Sequence, residues 1–265
     1  MRLRSKSVPG RVSQGVLDMG RETLRARKSR VLIPGLAIRA VVCMNAVLLV
    51  QGLAPARDEQ SLLQGRIRKT EEPRILFVGN SYSFKVPGSL ARLVRDSGRK
   101  VVVESVTRGG WTLKRHAGSK QTLARIREGS WDVVVLQEQS QIPSFGREQR
   151  SREMIPHART LVSEIRKVGA VPVFFQTWGR RDGDLGNKGI FPDDSFEKMQ
   201  GRLVTGYREV AAAVEGALVA PVGEAWAREM RAGRGKRLFA KDGSHPSEAG
   251  VNLSARVFHS FLFGK

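Results

Sequence analysis

Two short segments at opposite ends of one region carry the residue types that can activate a hydroxyl group. The first, residues 75–83, is an apolar run that ends in a tight turn bearing Ser81. The second, residues 242–246, places Asp242 three positions before His245. A serine hydroxyl is a poor nucleophile unless a base lies within hydrogen-bond reach, and that base needs an orienting partner. The chain order Ser, Asp, His therefore predicts the nucleophile, the acid and the base of a serine hydrolase.

The pattern of apolar residues predicts the elements that position these side chains. Strand-like runs are predicted at residues 75–78, 101–106, 131–136, 171–176 and 217–222, and helices at 89–97, 122–127, 147–168, 195–214, 225–231 and 247–262. Pro156 indicates a kink or a boundary in the helix at 147–168. Continuously apolar strands separated by helices indicate a parallel sheet that is covered on both faces. The sequence thus predicts an α/β fold, a three-layer α/β/α sandwich with a five-stranded parallel sheet.

Candidate site residues follow four of the predicted strands. In chain order these are Ser81, Gly109 with Gly110, residues 137–140, and Trp178. In open sheets of this kind, ligands bind beyond the carboxyl ends of the strands. The segment with Asp242 and His245 lies just before the last predicted helix, so five segments are expected to meet at one edge of the sheet.

Four blocks make the chain resemble the SGNH (GDSL-type) hydrolase superfamily over most of its length. They are residues 75–83 with Ser81 at the nucleophile, 108–110 in the glycine block, 135–140 in the third block, and 242–245 as the Asp-x-x-His block. The resemblance implies the flavodoxin-like SGNH hydrolase fold. It also implies a serine esterase or deacylase that acts on O-acyl esters, with acetylated carbohydrate as one common substrate class.

The resemblance further implies which groups bind the oxyanion of the tetrahedral intermediate. These are the backbone N–H groups of Ser81 and Gly110 and the side chain of Gln139, which stands where the family has an Asn. The extra methylene of a Gln shifts the donor, and Gln137 is the alternative. The chain departs from the family pattern at Asn80, where an Asp usually precedes the serine, and in the third block, where Gln-Glu-Gln-Ser replaces Gly-x-Asn-Asp.

Other side chains near these blocks are candidates for the site. Tyr82, beside the nucleophile, and Trp178 are candidates for substrate binding, and Trp178 alternatively packs in the core, as aromatic residues mostly do. His116 follows the glycine block and either reaches the mouth of the site or is a solvated helix residue. Glu138 is the alternative to Asp242 as the acid that orients the histidine.

The first 56 residues have the layout of a signal peptide. A basic region precedes an apolar stretch at residues 31–54, which is interrupted by Arg39 and ends in small residues. An uncleaved membrane anchor is the alternative, because this stretch could just span a bilayer if Arg39 snorkels. Either interpretation predicts a domain outside the cytoplasm, secreted, periplasmic or anchored. The predicted organisation is a leader at 1–56, a polar linker at 57–72 and an SGNH-like hydrolase domain at 73–265.

Composition limits the partners and cofactors. The 265 residues carry a formal net charge of +21, which either keeps the surface soluble or favours contact with an anionic polymer. No run of Lys and Arg with interleaved aromatic residues is present, so no specific nucleic-acid partner is predicted. The single Cys excludes an intrachain disulfide, and one Cys with four scattered His argues against a zinc site. No cofactor is predicted. Three alternatives to the esterase remain: an acyltransferase with the same triad, a weakly active module that binds a polyanion, and a membrane-anchored structural protein.

Overall fold

The computed structural model describes residues 54–264 except residue 215, so nearly all of the predicted leader lies outside the described residues. The strands are β1 Arg74–Gly79, β2 Val102–Thr107, β3 Val133–Leu136, β4 Val171–Phe175 and β5 Leu218–Ala220. The helices are α1 Ala54–Lys69, α2 Val86–Asp96, α3 Leu113–Ala117, α4 Lys120–Glu128, α5 Arg147–Glu153, α6 Ile155–Lys167, α7 Phe196–Ala213, α8 Val222–Arg231 and α9 Glu248–Phe263. Short 3₁₀ turns lie at Ser81–Ser83, Ile142–Ser144, Leu185–Asn187 and Gly235–Leu238.

The five strands form one parallel sheet in the order β2-β1-β3-β4-β5. This confirms the predicted fold class. The chain leaves β1 toward β2 on one side and returns to β3 on the other, so the strand order reverses between β1 and β3. In the flavodoxin-like order, this reversal is where ligands bind. Ser81 follows β1 directly and therefore lies at that point.

Two apolar cores lie on opposite faces of the sheet, because successive side chains of a strand point to opposite faces. In β1, Ile75 and Phe77 pack in the core formed with α1, α2, α8 and α9. Leu76 and Val78 pack in the other core, formed with α3, α4, α6 and α7. The sheet is thus covered on both sides, which is why β1, β3, β4 and β5 are mostly apolar, whereas the edge strand β2 is half polar.

The predicted linker at residues 57–72 is wrong over most of its length, because α1 occupies residues 54–69. Leu63 and Ile67, four residues apart, are buried in the first core. The Gln64 side-chain amide donates to the carbonyl oxygen of Phe261 in α9 at 3.0 Å. The face of α1 that packs on the domain is narrow, and the many charged residues around it in the sequence led to the prediction of a linker. The compact domain therefore begins before residue 73.

Two further elements differ from the sequence prediction. Helix α3 was not predicted, since it has only five residues. The helix predicted at 147–168 is two helices that meet at Met154, with Pro156 in the first turn of α6, so Pro156 marks a boundary rather than a kink. Within residues 54–264, residue 215 aside, no helix is both long and apolar enough to span a membrane.

Candidate active site

The turn after β1 holds Ser81 at the edge of the sheet. Ser81 begins a 3₁₀ turn, and the Asn80 side chain caps that turn by accepting a hydrogen bond from the backbone N–H of Tyr82 at 3.2 Å. The Asn80 amide nitrogen donates to the carbonyl oxygen of Trp111 at 2.8 Å, which ties the turn to the glycine block. Ser81 itself is half-buried, so its hydroxyl can meet both protein and solvent.

The structure brings Ser81, His245 and Asp242 together. The Ser81 Oγ lies 2.9 Å from His245 Nε2, and His245 Nδ1 lies 2.6 Å from Asp242 Oδ2. The other carboxylate oxygen, Asp242 Oδ1, accepts the backbone N–H groups of Ser244 and His245 at 2.9 and 3.0 Å. The loop therefore orients its own acid. Glu138, the alternative orienting acid, does not bond the imidazole and is excluded by these contacts.

Asp242 is ionised over the range in which proteins normally work. Partial burial by itself raises the pKa of its carboxyl. The hydrogen bonds from the His245 side chain and from the Ser244 and His245 backbone outweigh that effect and lower the pKa to about 2. A carboxylate at this position holds the proton of the imidazole on Nδ1 and leaves Nε2 free to accept the proton of Ser81.

The glycine block is joined to the serine turn by the hydrogen bond from Asn80 to the Trp111 carbonyl oxygen. Gly110 has a φ of +68°, a conformation that favours glycine. In the described part of the chain, no acceptor is paired with the backbone N–H of Ser81 or of Gly110. Both N–H groups are thus available to a negatively charged oxygen.

A solved structure with substantial sequence identity decides the family. A protein of Slackia heliotrinireducens that is assigned to the SGNH hydrolases is 31% identical; the match covers 72% of this chain and 98% of that one, with a TM-score of 0.58. This chain belongs to the SGNH hydrolases. It is accordingly a hydrolase. The predicted family is thereby confirmed.

Two more distant structures share the fold. A DUF4886 family protein from Bacteroides uniformis is 19% identical with a TM-score of 0.64, over 73% of this chain and 84% of that one. An acetylxylan esterase from Geobacillus stearothermophilus is 17% identical with a TM-score of 0.51, over 72% and 94% of the two chains. No protein-family model matches this SGNH hydrolase, and no curated protein matches it.

An aromatic stack supports the Asp242–His245 loop of this SGNH hydrolase. Trp178 lies between Tyr82 and Trp226, parallel to both, with ring centroids 4.7 and 3.9 Å away. The Trp178 indole N–H donates to the carbonyl oxygen of Ser244 at 3.0 Å, and the Tyr82 hydroxyl lies 2.6 Å from Ser244 Oγ. Ser244, to which the sequence assigned no role, is thus held at both its side chain and its carbonyl.

The stack corrects two predicted substrate contacts. Both faces of Trp178 are covered by other rings, and the side chain is fully buried, so it packs in the core and has no face for a sugar. Tyr82 is also buried, with one face on Trp178 and its hydroxyl on Ser244. Both residues position the loop rather than contact substrate.

His116 is a third correction. It is fully buried, which lowers the pKa of its imidazole. Its Nε2 lies 2.9 Å from the carbonyl oxygen of Gly79, and its Nδ1 lies 3.1 Å from Thr122 Oγ1. The carbonyl accepts, so Nε2 carries the hydrogen and Nδ1 accepts from the threonine hydroxyl. His116 thus donates a hydrogen bond to the last residue of β1, and it is neither solvated nor at the mouth of the site.

The two glutamines of the third block differ in what they can offer. Gln137 is fully buried, and its Oε1 accepts from the Asn80 backbone N–H and from the Ser83 hydroxyl, each at 2.9 Å. Its Nε2 donates to Asn80 Oδ1 and to the carbonyl oxygen of Glu138, which uses both hydrogens. Gln137 is therefore excluded as an oxyanion donor.

Gln139 keeps one hydrogen available. Its Nε2 donates to Gln141 Oε1 at 3.0 Å, while its Oε1 accepts the Gln141 backbone N–H at 2.8 Å. A side-chain amide has two N–H hydrogens, so the second remains for a ligand. Among the described residues, no group of three or more His, Cys, Asp or Glu side chains is arranged to hold a metal ion.

Proposed function

We propose that this SGNH hydrolase is a serine esterase in which Ser81 is the nucleophile, His245 the general base and Asp242 the acid that orients the base. The observation that carries the proposal is the pair of contacts of 2.9 Å and 2.6 Å that joins the three side chains in that order. A hydroxyl, an imidazole and a carboxylate linked in this way are the parts that acyl transfer to serine requires.

The reaction follows from these contacts. His245 Nε2 takes the Ser81 proton as Oγ attacks the ester carbonyl, and the carbonyl oxygen becomes an oxyanion. His245 then gives the proton to the leaving alcohol as the carbon–oxygen bond of the ester breaks. Water attacks the acyl-enzyme, loses a proton to the same imidazole, and releases the carboxylic acid and the free serine.

We assign the oxyanion to three donors: the backbone N–H groups of Ser81 and Gly110 and the side chain of Gln139. The unpaired N–H groups and the remaining Gln139 hydrogen support this assignment. Removing one such donor typically costs about 10²–10³ in kcat. Within this hole, Gln139 is the donor whose reach differs from that of an Asn at the same position.

The proposed substrate is a small O-acyl ester, with an acetylated carbohydrate as the first class to test. Similarity of fold to an acetylxylan esterase supports that choice. The basic and apolar leader supports a location outside the cytoplasm, where such polymers occur. A carbohydrate acceptor in the assay also distinguishes hydrolysis from acyl transfer, since a transferase moves the acyl label to the sugar without net release of acid.

The deciding experiment is hydrolysis of p-nitrophenyl acetate by the full chain and by four variants. Ser81→Ala and His245→Ala are expected to lower kcat at least about 10³-fold, because each removes a reacting group. Ser97→Ala and His259→Ala are the matched controls, at the end of α2 and in α9, and are expected to keep wild-type rates. Wild-type rates in Ser81→Ala would refute the serine mechanism.

A further inference from the structure

One carboxyl oxygen connects the two loops that flank the proposed oxyanion hole. Glu138 follows β3 and is fully buried. Its Oε1 accepts the backbone N–H of Leu113 at 3.0 Å and that of Gln139 at 2.6 Å. Leu113 begins α3, three residues after Gly110. The same atom therefore holds the segment that carries the Gly110 N–H and the segment that carries the Gln139 side chain.

The Gly110 segment has few other anchors near the serine. Asn80 donates to the Trp111 carbonyl, and the Trp111 N–H donates to the carbonyl oxygen of Arg108 within the same turn. The Arg108 N–H also donates to the carbonyl oxygen of Gly79 at 3.1 Å, so Arg108, Asn80 and Glu138 together fix the segment against β1 and β3. A donor serves an oxyanion only if it lies within about 0.5 Å of the productive position.

We propose that Glu138 is a positioning residue of the oxyanion hole, and that its Oε1 sets the distance between the Gly110 and Gln139 donors. The inference rests on the proposed function of Ser81, Gly110 and Gln139. Glu138 touches no substrate, and it acts through the backbone of its two partners.

The uncharged acid is sufficient for this role. In the described part of the chain, Glu138 Oε2 is buried and has no hydrogen-bond partner. Burial raises the pKa of this carboxyl to about 8. The acid is thus neutral at neutral pH, with Oε1 as the acceptor and Oε2 as the site of the proton. A glutamine has the same length and the same acceptor, so it can replace the acid without loss of the two bonds.

The test uses the full chain with Glu138→Gln, Glu138→Met and Glu138→Asp, and it measures kcat and KM for p-nitrophenyl acetate. Glu138→Gln is expected to keep kcat within about threefold, because its Oε1 still accepts both N–H groups. Glu138→Met has similar volume and no comparable acceptor, and it is expected to lower kcat about 100-fold with KM within about threefold. Both chemical steps use the oxyanion hole, so the loss appears in kcat whichever step is slow.

The active fraction of each variant is counted by labelling Ser81 with a fluorophosphonate, so that misfolded chains are not scored as slow ones. If Glu138→Met does not fold, Glu138→Asp decides, since its shorter side chain cannot reach both N–H groups and a loss of about tenfold in kcat is expected. The proposal is overturned by a wild-type kcat in Glu138→Met or, in its place, Glu138→Asp. It is equally overturned by a loss in Glu138→Gln as large as in Glu138→Met. These outcomes are separate from failure of the proposed function, which would appear as activity in Ser81→Ala.

Discussion

Replacing Glu138 by Gln should change how the stability of this enzyme depends on pH. Burial is the main cause that raises the pKa of this carboxyl, from an ordinary value of 4.5 to about 8. The N–H groups of Gln139 and Leu113 lower it and the nearby Glu153 raises it, and neither effect is as large as burial. The folded chain therefore keeps a proton at neutral pH that the unfolded chain releases.

The direction and size of the effect follow from proton linkage. Between pH 4.5 and about 8 the folded state binds more protons than the unfolded state at Glu138, so its contribution to the free energy of unfolding falls as pH rises. That contribution is fully present below pH 4.5 and lost by about pH 8. Each pH unit is worth about 1.4 kcal/mol, so the loss between pH 5 and pH 8 is about 3–4 kcal/mol. A Gln at this position does not titrate and shows none of it.

The assay is urea unfolding of both proteins at several values between pH 5 and pH 8, followed by tryptophan fluorescence. The stability of Glu138→Gln relative to wild type is expected to increase by about 3–4 kcal/mol across this range, while other titrating groups cancel in the comparison. Glu128→Gln, at an exposed position at the end of α4, is the matched control. A stability difference that stays constant with pH would refute the argument that the carboxyl is held neutral by burial.

Three other changes have expected outcomes. Ile67→Ala in α1 should lower the free energy of unfolding by about 2–4 kcal/mol, whereas Leu62→Ala, at a side chain that is 74% exposed, should change it by less than about 0.5 kcal/mol; equal effects in urea unfolding would show that α1 does not pack on the domain. Asp242→Asn should lower kcat about 10³-fold or more, because an amide favours the wrong tautomer of the histidine, and a residual rate above a tenth of wild type would contradict that role. Gly110→Ala meets no neighbouring atom but forces a φ of +68° on an L residue, so kcat should fall about tenfold or more, while Gly109→Ala, with free space and no such φ, should stay within about twofold.

The parts of the molecule that local sequence determines could be predicted. The four residues of β3 are Val-Val-Val-Leu, and all are buried. Such a continuously apolar run is typical of a central strand in a parallel sheet. The spacing of Asp242 and His245 is similarly local, since three positions let one carboxylate accept two backbone N–H groups of its own loop and still meet the imidazole. These contacts need no distant partner.

The features that the sequence did not reveal depend on distant partners. The α1 helix packs against α9, with Gln64 bonded to a carbonyl oxygen 197 residues away. Among its described side chains, the buried apolar residues are Leu63 and Ile67. His116 has charged neighbours in the sequence, which indicate a surface position. In the structure it is buried, because its side chain is hydrogen-bonded to the carbonyl oxygen of Gly79 at the end of β1. The stacking of Trp226 on Trp178 likewise brings together residues that are far apart in the chain.

The two departures from the family pattern fit one another physically. Asn80 accepts from the Tyr82 N–H and from Gln137 Nε2, and it donates to the Trp111 carbonyl. An ionised Asp has no hydrogen for that carbonyl, so the contact requires an amide. Gln137 Oε1 in turn accepts hydrogen bonds from the Asn80 N–H and from the Ser83 hydroxyl. Both amides are buried, where an unpaired charge would be costly. Uncharged groups thus hold the turn that carries the nucleophile.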